Sequence, residues 1–113
     1  MFILYISDNL GLSYVQAGIS STRDGIERIL SSYKKDSIRW YIEDDKGFMI
    51  DYCDIFKVTL DSLAKPDGEA PTMFATDDQV LAGILRGAGV RVFNSEALFT
   101  MFDRGFDKKT ILH

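Results

Sequence analysis

TMFATDDQVLAGILRGAGVRVF, residues 72–93, is the stretch that decides the reading of the fold. TMFA has the apolar character of a short strand. Thr76 and Gln79 have capping-box spacing, and Val80, Leu81, Ile84 and Leu85 recur at helical intervals. Gly87 and Gly89 stop the helix, and VRVF resumes an extended pattern. A strand, a helix and a second strand in so short a span predict a parallel pair, because parallel neighbours need a crossover between them. Asn94-Ser95 then caps a final helix marked by Leu98, Met101 and Phe102 and ended by Gly105.

The same rhythm is expected upstream. FILYIS (2–7) is a continuous apolar run ended by Asp8-Asn9 and Gly11, the pattern of a strand buried on both faces and central in a parallel sheet. GLSYVQAGIS (11–20) fits no single period, being short for a helix and closed by Gly18. Ser21 and Asp24 have capping-box spacing, and Ile26, Ile29, Leu30 and Tyr33 form the apolar stripe of a helix ending near Lys34-Lys35. SIRWYIEDD (37–45) alternates Ile38, Trp40 and Ile42 with Arg39, Tyr41 and Glu43, which is strand periodicity.

Lys46-Gly47 is a turn. FMIDYCDIFKVTLDSLA (48–64) reads as a returning strand or as a helix using Ile55, Phe56, Leu60 and Leu63, with room for a short strand at 48–52 before that helix. KPDGEAP (65–71) has the composition of a surface loop, and KKTILH (108–113) that of a loosely held end.

The 113 residues suffice for one core, with roughly two-thirds of the unfolded chain's surface buried at this size. Residues 1–113 are therefore expected to form a single α/β domain, a three-layer sandwich with a mostly parallel central sheet and room for a β-hairpin insertion. Hydrophobic residues at 46% and charged residues at 27% exclude a disordered chain. A net charge of −4 without a basic run disfavours nucleic acid. One Cys and one His assemble no internal disulfide and no ordinary zinc site, and Cys53 is expected in the core. MFILYI is too short for a membrane span and lacks the flanks of a signal peptide, so a cytoplasmic location is expected.

In an open parallel sheet, ligands lie outside the carboxyl ends of the strands. Four expected strands end in Asp8-Asn9, in Glu43-Asp44-Asp45, in Thr76-Asp77-Asp78 and in Asn94-Ser95. Converging, they would offer oxygen ligands to Mg²⁺, with Asp8 and Asp44 foremost. Asp77 and Asp78 also have a purely structural reading, since acids in a first helical turn gain roughly 0.3–1 kcal/mol each from the helix dipole. Glu43, Asp44 and Asp45 before Lys46-Gly47 likewise read as a solvated hairpin turn. The aromatics, among them Trp40, Tyr41, Phe48, Tyr52 and Phe56, are interleaved with acids rather than bases, which favours core packing over base stacking. No P-loop, GxGxxG, HExxH or GxSxG pattern is present.

The order of these pieces resembles a response-regulator receiver domain. ILYISDN (3–9) is similar to the first receiver strand, with Ser7 in place of its first acid and Asp8 retained. The strand ending in YIEDD is where the phosphoacceptor would lie, which makes Asp44 the candidate and Glu43 the alternative. PTMFAT resembles the fourth strand with its switch residue, Thr76, and GAGVRVFNSEAL follows the fifth, with Asn94-Ser95 where a receiver has lysine and proline. The resemblance implies a receiver or flavodoxin-like sheet and, with the lysine absent, a degenerate, non-catalytic regulatory module that binds a protein partner. A second resemblance is to PIN-like nucleases, carried by ISDN and by ATDDQVLAGILRGAGVRVFNSE. It implies Mg²⁺ held by Asp8, Asp77 and Asp78 and attack of water on a phosphodiester. An unrelated small regulator or inhibitor is the third reading. Phe99, Phe102 and Phe106 supply more apolar surface than one core-facing stripe needs, so they are the expected contact surface, for a partner or for a second copy in a homodimer.

Overall fold

The computed structural model describes residues 1–34, 37–63, 73–97, 100 and 111–112. They fall into two compact units, Met1–Lys57 and Val58–His113.

The first unit is built on an antiparallel sheet. Its strands are β1 (Phe2–Ser7), β2 (Val15–Ser20), β3 (Arg39–Asp44) and β4 (Met49–Tyr52), in the order β2-β1-β3-β4. Every pairing in it is antiparallel. The mostly parallel, receiver-like central sheet expected from the sequence is therefore corrected. FILYIS does lie centrally, between β2 and β3, but both neighbours run against it. The reason is local: the short links 8–14 and 45–48 turn the chain back beside the strand it has just left, which makes β1–β2 and β3–β4 antiparallel, while the link through residues 21–38 carries the chain from β2 past β1 to β3.

Leu4 stands opposite Ile42 and Ile6 opposite Trp40, so a row of apolar side chains crosses β1 and β3 on one face. Helix α1 (Arg23–Ser31) packs on β1 and β2 and buries Ile26 and Leu30. Its N-cap is Thr22, whose Oγ1 accepts from Gly25 N at 3.1 Å, one residue later than the Ser21 expected from spacing. Gly18 allows the close approach of this helix. A Cβ there would lie 2.7 Å from Ile29 Cγ2, which explains a glycine inside a strand. The segment 11–20, which fitted no period, thus contains β2, with Ala17 as an extra residue where the register against β1 shifts.

The stretch 48–64 holds both of the structures weighed for it, the strand β4 and then helix α2 (Asp54–Leu63), with Phe56 fully buried. Cys53 is buried, as expected, and loss of solvation pushes its thiol pKa up. Trp40 and Phe56 are core residues, whereas Phe48 is exposed at the β3–β4 turn.

The second unit carries the expected strand-helix-strand, over residues 73–93. Strand β5 (Met73–Ala75), helix α3 (Gln79–Gly87) and strand β6 (Arg91–Phe93) follow in order, and β5 pairs parallel with β6. Leu81, Ala82 and Leu85 are the buried face of α3. Residues 111–112, expected in a loose end, form β7 (Ile111–Leu112), which adds parallel to the other side of β5 and gives the order β6-β5-β7. The loop 65–71 and most of the final helix expected up to Gly105 lie outside the described residues.

Candidate functional site

The two kinds of sheet treat the acidic strand ends in opposite ways. In the antiparallel sheet Phe2 pairs with Asp44 and Ser7 with Arg39, so Asp8 and Asp44 lie at opposite ends of neighbouring strands. At 3.3–3.4 Å per residue that is about 20 Å of separation, far beyond any shared ion. Asp44 instead closes the β3–β4 turn: its Oδ1 accepts from Lys46 N at 3.0 Å and from Phe48 N at 2.9 Å, and Gly47 takes the positive φ of +81°. It is the hairpin-turn acid that Lys46-Gly47 foreshadowed. Asp8 itself is exposed.

In the parallel pair, the strand ends do come together. Asp77, after β5, accepts from Ser95 N at 2.9 Å and Ser95 Oγ at 2.5 Å, Ser95 following β6. These hydrogen bonds from Ser95 hold the Asp77 carboxyl below its usual range. Asp78 is 1% exposed and is the N-cap of α3, its Oδ1 accepting from Val80 N at 2.9 Å and Leu81 N at 3.2 Å. The cap is thus Asp78 rather than Thr76. Thr76 Oγ1 accepts from Asp78 N at 3.1 Å and so orients the capping residue. Asn94 Oδ1 accepts from Ala97 N at 2.8 Å and caps the turn that follows β6, as its position suggested.

Asp8 belongs to the first unit, and Asp77 and Asp78 to the second. Among the described residues, no group of three or more His, Cys, Asp or Glu is placed to hold a metal ion. Phe99, Phe102 and Phe106 lie outside the described residues.

What the sequence reading passed over is the β1–β2 loop. Ser7 is buried, and its Oγ donates to Asn9 Oδ1 at 2.7 Å while accepting from Gly11 N at 2.9 Å. Asn9 Nδ2 donates to Ser13 Oγ at 2.7 Å, and Ser13 N returns to Asn9 Oδ1 at 3.1 Å. From β3, Arg39 Nη1 donates to Leu10 O at 2.9 Å. This bonding holds Leu10 at a φ of +60°, a left-handed conformation unusual for a leucine. The side chains so presented are apolar: Leu10 is 75% and Leu12 69% exposed. On β2, Val15 is 60% and Ile19 49% exposed, on opposite faces of the sheet, since Val15 stands opposite Ile6 and Ile19 opposite Ile3. The signal was in the letters NLGLSYV, where leucines flank the turn-forming Asn9 and Gly11 in place of polar residues.

Beside this loop is a cavity of about 470 Å³, lined by Leu10, Trp40, Ile55, Glu27, Arg39 and Lys57 among others. Asp51 on its wall is engaged twice, by Arg23 Nη2 at 2.7 Å and Lys57 Nζ at 2.9 Å. Burial pushes the Asp51 carboxyl up, but the hydrogen bond from Lys57 and the positive charges beside it outweigh this, and its pKa falls below the usual value. The cavity's charges are of both signs and are matched within the protein.

No helix among the described residues is long and apolar enough to cross a membrane. No protein-family model matches the chain, and neither the characterised proteins nor the solved structures compared with it give a match.

Proposed function

We propose that this protein is a non-catalytic module that works by binding another protein, and that the β1–β2 hairpin is the contact surface. The observation that carries the reading is the presentation of Leu10 and Leu12 on a loop fastened by Asn9, Arg39 and the buried Ser7. Exposed leucines on a mobile loop would fold back onto apolar surface, whereas here the backbone bears a strained φ that keeps Leu10 outward. A rigid apolar anchor binds with little entropy lost on association. Three of the acids that a catalytic reading would use have structural duties, Asp44 in a turn, Asp77 on Ser95 and Asp78 at a cap, and the fourth, Asp8, lies about 20 Å along the sheet from Asp44.

A photocrosslinking residue placed at Leu12 in cells tests this. Discrete adducts are expected, and the same residue at exposed Asp61 on α2 should give none. Equal labelling at the two positions would overturn the contact surface. Mg²⁺-dependent cleavage of RNA by the pure protein, lost in Asp8→Asn, would overturn the non-catalytic reading.

A further inference from the structure

We infer that β2 is a self-pairing edge: two copies of the chain join their Val15–Ser20 strands antiparallel about a twofold axis, merging two four-stranded sheets into one of eight. The inference rests on the hairpin being the contact surface and names the partner as a second copy.

The two edges of the antiparallel sheet are β2 and β4. An edge strand exposes unpaired N–H and C=O groups, and proteins guard such edges with charge, proline, bulges or shortness. β4 is guarded. It is four residues long and carries Asp51, held between Arg23 and Lys57. β2 spans six residues, VQAGIS, with neither a charge nor a proline. Its one guard is the bulge at Ala17, which leaves residues 18–20 regularly paired on the inner side. The outer side bonds to no other strand among those described.

The occupant follows from the composition. In whatever register β2 meets its own copy, Val, Gln, Ala, Gly, Ile and Ser are all that can stand opposite one another, so no like charges meet. Val15 and Ile19 gain cross-strand partners where each is now exposed. A twofold pairing of identical strands is closed, because each copy uses its one uncharged edge, and the charged β4 edge stops the sheet from growing further. The pairing is a dimer and not a fibre.

The test is sedimentation velocity on the whole chain over a wide concentration range, with circular dichroism to check folding. Wild type should reach twice the 12.8 kDa chain mass. Val15→Lys/Ile19→Lys and Val15→Glu/Ile19→Glu, both at exposed positions, should each be folded monomers, and an equal mixture of the two should recover the dimer mass. Ile19→Thr, uncharged and suited to a strand, should stay dimeric. A monomeric wild type overturns the inference, as does a dimer that survives in either charged variant, a mixture that stays monomeric, or a mass that grows beyond two copies. If wild type is monomeric while Leu12 still gives discrete crosslinks, the self-pairing falls and the hairpin reading stands. If neither a dimer nor a crosslink is found, both fall.

Discussion

The two sheets of this chain are made from similar letters and end in similar acids, yet they arrange those acids oppositely. Antiparallel β1 and β3 send Asp8 and Asp44 to opposite ends. Parallel β5 and β6 bring Asp77 and Ser95 into hydrogen-bonding contact. Strand direction, more than strand composition, decides whether polar strand ends meet. An acid after a strand is a candidate ligand only once its neighbour's direction is known.

The largest effects that would sharpen this contrast come from the cores. Leu4→Ala and Leu85→Ala each empty a fully buried position, one under the antiparallel sheet and one on α3, and each should cost about 2–5 kcal/mol. Amide exchange should report the first in β1 and β3 and the second in α3. Equal loss of protection in all of these elements from either variant would show that the two units do not open independently.

Next is the cap. Asp78→Ala removes a buried carboxylate oxygen that serves two amides and should cost about 1–2 kcal/mol. Faster exchange at Val80 and Leu81 is the local check. Asp78→Asn, which keeps an acceptor, should restore most of the loss. If Asp78→Ala is instead neutral in stability, the capping role assigned to it is wrong.

The smallest effects are those of pH. Asp51 and Asp77 both have folded pKa values below the ordinary carboxylate value. The stability each contributes is therefore complete above the unfolded-state pKa, near 4, and is lost as pH falls through the lower folded value. Asp51→Asn and Asp77→Asn should each flatten part of the acid limb of a stability curve while leaving the neutral-to-alkaline part parallel to wild type. Asp51, engaged by Lys57 and Arg23, should give the larger change, though one below about 1 kcal/mol because both cations are partly solvated. A larger effect from Asp77 would mean that the meeting of strand ends beside β5 and β6 matters more than the ion pairs of the first unit.

How legible the fold was in the sequence varied with how local the signal was. The strand-helix-strand order of residues 73–93 was read correctly because a helix between two short strands fixes its own topology, although the cap was placed at Thr76 and lies at Asp78. Extending that topology to FILYIS failed, since an apolar run reports burial on both faces and is silent about the direction of its neighbours. The hairpin was visible in Asp44-Asp45-Lys46-Gly47, yet it competed with the same acids read as a site. β2 escaped because Gly18 interrupts its alternation, and the need for that glycine lies in Ile29, a residue of the following helix. For the acids after β5, the structural reading was right in kind and wrong in detail: Asp78 is itself the cap, and Asp77 lies before the helix and is bonded to Ser95. Leu10 and Leu12 were invisible to any search for chemistry, having none.

The left-handed Leu10 carries an implication for selection. A leucine in that conformation costs about 1–2 kcal/mol that a glycine would not. A screen for heat resistance alone should therefore enrich Leu10→Gly, and the survivors should be sturdier proteins with less of the apolar surface proposed here for binding. A screen for binding should keep the leucine and accept a lower melting temperature. Position 10 is where these two pressures separate, and paired screens on one library would show which of them has shaped the chain.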